Sequence, residues 1–368
     1  MYAKSVDDLV YLVSSLLNDT HPDAERVASI DLKELYALAG AHTLRGLTAF
    51  ALEHAGIHDP AFTAAKGQAI RKVVLLSLER EKVTAELETT GIWYMPLKGS
   101  VLKDYYPAVG MRESSDCDIL FDASRAADVK DIMKGLGFTV EEYGMFHHDM
   151  YFKPPVSNFE MHKKLIALER YGKCYAYYAD VKSRLLKDEG NDYGYHFSLE
   201  DFYIYMIVHE YVHYSEGGTG LRSLVDAYVY VKKFGEVMDW EYISRELEAL
   251  ELSDFEGRNR GLALRLFGGQ DLTDEDCEML KYIAGSGTYG SAEQAVMNRL
   301  KAHPQSGLKY ILSRIFLPMD EIRDKYPFVY KHKCLILFLP FHRIIRAVKR
   351  RRIALGEIRA VMKHKTSR

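Results

Sequence analysis

Three acids and a glycine turn carry the chemistry this sequence could perform. Asp116 and Asp118 flank a single residue, Glu160 follows forty-two residues after Asp118, and Lys98-Gly99-Ser100 precedes all three. The run from Asp116 to Phe121 is β-prone, and on a strand alternate side chains share a face. Both aspartates would then point one way while Cys117 and Ile119 point the other. Paired carboxylates on one face suit a hard divalent cation, above all Mg²⁺, which is held by one or two carboxylates together with phosphate oxygens. In the strand-like run Ser157 to Leu165, Phe159 faces one way and Glu160 and His162 the other, so a third carboxylate can join the pair. Gly99 would let backbone approach a ligand, Ser100 offers a hydroxyl, and a helix start behind them favours an anion. Lys98 and Arg112 add cationic groups for phosphate. Three such acids can hold two Mg²⁺ ions, with Mn²⁺ as a substitute, around a nucleoside triphosphate such as ATP. One ion activates an attacking hydroxyl and the other neutralises the departing pyrophosphate.

The elements that must position these groups are legible as alternating patterns. Residues 1–90 read as helical: Ser5 with Asp8 resembles a capping box, and helices fit Leu32–Leu38, Thr43–His54 and Phe62–Thr90, the last ending before Gly91. Residues 91–185 alternate strands and helices. Strands are expected at Ile92–Leu97, Asp116–Phe121, Phe138–Tyr143, Asp149–Lys153 and Ser157–Leu165, with Pro154-Pro155 turning the chain between the last two. Ser124 and Gly137 bracket a helix between the second and third strands. Residues 186–330 return to helix, beginning with a Ser198/Asp201 cap. Helices follow from Leu221–Phe234, Trp240–Leu252, Asp274–Ala284, Ala292–Ala302 and Leu308–Phe316. Residues 331–368 form a basic amphipathic segment. The fold class is therefore α+β, a mixed-sheet core with helical N-terminal and C-terminal regions.

Taken together, Leu97-Lys98-Gly99, Tyr105, Arg112, Asp116-x-Asp118 and Phe159-Glu160-Met161-His162 resemble the uncharacterised bacterial nucleotidyltransferase family, within the superfamily typified by DNA polymerase beta. The resemblance extends through His209, His213, Leu221-Arg222 and Asp226. It implies that Asp116, Asp118 and Glu160 are catalytic metal ligands and that Gly99 and Ser100 contact the triphosphate. It also implies Mg²⁺-dependent transfer of a nucleoside monophosphate from an NTP to a hydroxyl acceptor, which could be a small molecule, a protein or an RNA end. The turn departs from the superfamily pattern, because Val101-Leu102-Lys103 follows Ser100 where small residues or an arginine are usual. A catalytically inactive nucleotidyltransferase-fold binding module is the alternative.

Other motifs compete. His209-Glu210-Tyr211-Val212-His213 matches HExxH, which on a helix can bind Zn²⁺ with the glutamate as general base of a metallohydrolase. No third ligand in zincin context follows it, and the stripe through Phe202 and Met206 favours a packing, supporting or substrate-contacting role for the two histidines. Arg222 and Asp226, four apart on a helix, read as a surface ion pair or as groups facing the substrate. His147-His148-Asp149 reads as a loop.

Composition excludes several classes. With 48% apolar residues among 368, the chain can bury a large core. Cys117, Cys174, Cys277 and Cys334 are widely spaced, which suits a reducing cytoplasm rather than a disulfide scaffold. The N-terminus lacks the pattern of a signal peptide, and no apolar run reaches the ~20 residues of a membrane span. The net charge of −3 conceals an asymmetry. From Lys331 onward twelve basic residues face one acid, Glu357, so this segment carries +11 and residues 1–330 carry −14. Such a segment can pack on the acidic body, which the charge balance favours, or reach a membrane surface or nucleic acid.

Overall fold

A left-handed Gly91 separates the helical lead-in from the sheet. The lead-in comprises α1 (Lys4–Leu17), α2 (Ala24–Ala28), α3 (Leu32–Ala41), α4 (Arg45–His54) and the long α5 (Pro60–Thr90) in the computed structural model. The structure describes residues 4–144, 147–166, 171–288, 290, 298, 312 and 315–349. The Asp59 side chain accepts from the amides of Ala61 and Phe62, Pro60 sits in the first turn, and Gly91 at φ +69° closes the other end of α5.

The sheet that follows has five strands: β1 (Tyr94–Pro96), β2 (Cys117–Phe121), β3 (Thr139–Glu142), β4 (His148–Lys153) and β5 (Ser157–His162), in the spatial order β1-β2-β5-β4-β3. Only the central β2–β5 pair is parallel. The short α6 (Gly99–Leu102) follows β1, α7 (Ala126–Gly135) follows β2, and α8 (Gly172–Tyr177) follows β5.

Period-two alternation gives the sheet two apolar faces. Cys117, Ile119, Phe121, Phe159 and Met161 pack with Leu76, Val83 and Leu87 of α5 and Val129 and Met133 of α7. Met95, Leu97 and Leu120 pack in a second cluster with Ile204, Ile207 and Val208 of α9 (Leu199–Glu216). Ser198 caps α9 by accepting from the Asp201 amide at 3.1 Å. The chain continues through α10 (Leu221–Phe234), α11 (Trp240–Ala249), α12 (Ser253–Gly268) and α13 (Asp274–Ser286). A third cluster joins Leu9, Leu35 and Leu47 of the lead-in to Leu224, Leu262 and Leu280.

Several expectations are corrected. Ser5 lies inside α1, and Asp8 takes the Lys4 ammonium at 2.7 Å rather than closing a capping box. Asp122, not Ser124, caps the turn before α7, accepting from the Ser124 amide at 3.0 Å. The short α2 and the longer α12 were not expected from the pattern. In α12 the buried positions include Glu256 and Asn259, so polar residues on the inward face hide the helical period. The expected helices Ala292–Ala302 and Leu308–Phe316 fall largely outside the described residues, as does the basic segment beyond residue 349. Among the described residues no helix is long and apolar enough to cross a membrane.

Candidate active site

The parallel pairing of β2 and β5 sets Asp118 directly opposite Glu160 and Leu120 opposite His162. Paired residues on neighbouring strands share a face, so Asp118, Glu160 and His162 converge on the side that also bears Leu120 and α9. Their ligating atoms all lie within 4.8 Å of one another. Asp118 is buried, and its Oδ1 accepts from Lys98 Nζ at 2.7 Å and His162 Nε2 at 2.8 Å. Glu160 Oε2 lies 3.5 Å from the same His162 nitrogen.

Asp116 sits one residue before β2 and is part-buried. It is not in that tight cluster, but it feels it. Burial, then repulsion from Asp118 and Glu160, raise its carboxyl to about 6. Asp118 goes the other way: burial opposes its charge, yet Lys98 and His162 hold it well below the usual carboxylate range. Burial also opposes the charge on Lys98, but Asp118, Tyr205 and Glu160 hold its ammonium above its ordinary value. Lys98 reaches this position from a backbone at φ +47°, a region that L side chains rarely adopt.

The turn behind Lys98 is arranged differently from a phosphate cradle. The amides of Ser100, Val101 and Leu102 are bonded to Leu97 O and Lys98 O at 3.0–3.1 Å. Ser100 Oγ contacts Cys117 Sγ at 3.3 Å, and Cys117 belongs to the opposite face of β2. A Cβ at Gly99 would overlap the Arg112 guanidinium and press on Ser114 Oγ at 3.1 Å. Gly99 therefore makes room for Arg112. That arginine is itself buried, donating through Nε and Nη2 to the two oxygens of Asp226, each at 2.9 Å. Tyr106 OH donates to the same carboxylate at 2.7 Å. Asp226 is thus the anchor of a buried network rather than one half of a helix-surface pair, because its face of α10 turns into the body. Arg222 lies within electrostatic reach of Asp116 and His213.

The HExxH segment divides across α9. His209 and His213 are 3.1 Å apart through their Nε2 atoms, and both feel the charges of Lys98 and Asp118. Burial, then His213 and Lys98, push His209 well below its ordinary value, while burial, then Lys98 and Arg222, lower His213 to about 4. Protein atoms crowd the His213 ring although it keeps an open edge at the surface, and His209 is part-buried, so both border the acids rather than fill the core. Glu210 is buried elsewhere, accepting from Asn259 of α12 at 2.8 Å, and burial raises it to about 7. It does not share a site with the two histidines, which removes the arrangement a zincin requires.

His147 and His148, which the sequence reads as loop, stand beside His162: the ring centroids are 5.4 Å and 5.0 Å away. Their signal was the Pro154-Pro155 turn, since residues equally distant from it pair across the hairpin, and His148 lies opposite His162. A cavity of about 710 Å³ opens at the β1 edge, lined by Arg80, Tyr94, Ser100, Tyr105, Tyr195 and Phe202 among others, and none of the three acids lines it. The convergence of ionisable groups, not cavity size, marks the candidate site.

A family model described as uncharacterised nucleotidyltransferase matches residues 28–268, a span holding every group named above. No curated protein and no solved structure matches the chain. The match covers well over half the sequence, and the chain belongs to the uncharacterised nucleotidyltransferase family.

Proposed function

We propose that this protein transfers a nucleoside monophosphate from an NTP to an acceptor hydroxyl with release of pyrophosphate. The observation that carries the reading is the register of β2 and β5, which brings Asp118 and Glu160 together with Asp116 repelled by both. Crowded carboxylates of this kind fit a divalent cation, whose charge would relieve the repulsion. Asp116, Asp118 and Glu160 would hold Mg²⁺, or Mn²⁺ in its place. When bound, such ions supply Lewis-acid activation of the hydroxyl and charge neutralisation of the triphosphate.

The chain's own residues do the rest. Lys98 and His162 keep Asp118 ionised and oriented through its Oδ1. The Lys98 ammonium also puts positive charge beside the acids for the phosphates. His209 and His213, disfavoured as cations, offer neutral nitrogens as hydrogen-bond acceptors for an incoming hydroxyl. Arg112 and Asp226 position the turn rather than touch substrate. The four free cysteines fit a reducing cytoplasm, and the basic C-terminal segment would add contact with an anionic membrane surface.

A second reading, an inactive nucleotide-binding module, draws on the Lys98–Asp118 bond, which occupies one oxygen of the central ligand. Isothermal titration with each NTP and Mg²⁺, alongside a pyrophosphate-release assay, separates the two. The transferase reading expects binding and release, both lost in Asp116→Ala/Asp118→Ala. Binding without release favours the module, and no binding by the wild type would sink both.

A further inference from the structure

We propose that His147, His148 and His162 form a second site, joined to the carboxylates through His162, for a divalent transition cation of the zinc or cobalt class. The site adjoins the one proposed for nucleotidyl transfer but does not depend on that activity.

The strand register places the donors. His148 pairs with His162 across the antiparallel β4–β5 ladder, so both side chains leave the same face. His147 is pinned by its backbone, its carbonyl accepting from the Lys163 amide at 2.8 Å. One nitrogen from each ring then falls within 4.8 Å of the others. His147 Nε2 and His148 Nδ1 are 3.1 Å apart and share a hydrogen bond that a bound ion would replace. Two imidazoles on one tetrahedral zinc, with Zn–N bonds of about 2.0–2.1 Å, would have their nitrogens about 3.3 Å apart.

Two of the three rings also turn a nitrogen toward a carboxylate. A metal-bound imidazole commonly gives its other N–H to a carboxylate, which fixes the tautomer. His148 Nε2 lies 3.9 Å from Glu160 Oε2, near it but beyond hydrogen-bond length. His162 Nε2 meets Asp118 Oδ1 at 2.8 Å, and its Nδ1 is buried without a partner in a side chain that is 1% exposed. With Nε2–H donated to Asp118, Nδ1 is left with a lone pair and nothing to receive. Imidazole nitrogens prefer zinc and its neighbours, whereas carboxylate oxygens prefer Mg²⁺. Donor chemistry therefore sorts two kinds of ion onto one face of the sheet.

The test uses the untagged full chain, stripped with a chelator and titrated with Co²⁺ while Mg²⁺ is in excess. The proposal expects one equivalent of Co²⁺ with the intense visible band of a low-coordinate, nitrogen-ligated ion, displaced by Zn²⁺ and not by Mg²⁺. His147→Gln and His148→Ala should each weaken it by about tenfold or more, the scale at which even supporting groups act, with thermal melts like the wild type's. Asp116→Asn should keep the band. An absent band, or one that survives both histidine changes and disappears with Asp116→Asn, overturns the proposal. Absence of NTP binding by the wild-type chain with the band intact would instead overturn the transferase reading and leave the histidine site standing.

Discussion

At the scale of single residues, burial and partner decide what each acid can do. Asp118 and Glu210 are both buried, yet Asp118 is held ionised by Lys98 and His162 while Glu210 has only neutral partners. Glu210 therefore carries a reversed pH signature. Its folded value, about 7, lies above the ordinary 4.5, so the penalty for ionising it is absent below that ordinary value, grows as pH rises, and is complete above the folded value. Glu210→Gln is expected to gain stability relative to the wild type across that window, by up to about 3 kcal/mol at ~1.4 kcal/mol per pKa unit. Urea denaturation below and above the window checks this, and parallel curves for the two proteins would count against it. NTP binding should be unchanged, since Glu210 faces Asn259 rather than the acids.

At the scale of elements, faces matter more than composition. The hairpin β4–β5 turns a loop-like His147-His148 into neighbours of His162 because a two-residue period and a fixed turn leave one register. The helix Leu339–Lys349 and the short helical turn Lys333–Phe338 before it show the opposite case, several large apolar side chains left exposed among the described residues. Leu337, Phe338, Phe341 and Ile345 are 76%, 67%, 65% and 58% exposed while Leu339 is buried, and the rest of the basic segment expected to pack on the acidic body lies outside the described residues. Bulky apolar groups interleaved with arginine suit an anionic bilayer surface better than nucleic acid. Co-sedimentation with anionic vesicles is expected to drop several-fold in Phe341→Asp/Ile345→Asp and to be negligible with neutral vesicles. Equal binding by wild type and variant would exclude the helix as the contact, and RNA binding lost in the variant would redirect it to nucleic acid.

At the scale of the whole molecule, the sheet does not stand apart from the helices. Its faces are completed by α5 on one side and α9 on the other, and Arg112, in the approach to β2, is locked to Asp226 on α10. Breaking one side of a buried pair leaves the other charge uncompensated. Asp226→Asn is expected to lower unfolding stability by about 3–5 kcal/mol, and replacing both partners, Arg112→Met with Asp226→Leu, to recover most of it. Chemical denaturation reads both. A loss below about 1 kcal/mol in the single variant would show that the pair is not the interlock described.

The sequence by itself determined the α+β class, the strands that carry Asp118 and Glu160, and the placing of Asp118, Glu160 and His162 toward one side, because period-two alternation and turn residues are local properties. It also marked Gly91 as the end of the long helix. It did not show that Lys98 would bind Asp118, that Gly99 would make room for Arg112, that Asp226 would answer Arg112 from 114 residues away, or that Glu210 would turn from its flanking histidines. Those outcomes depend on which helix face meets which strand. Charge pairing and burial are set by neighbours distant in the chain, and only tertiary packing chooses them.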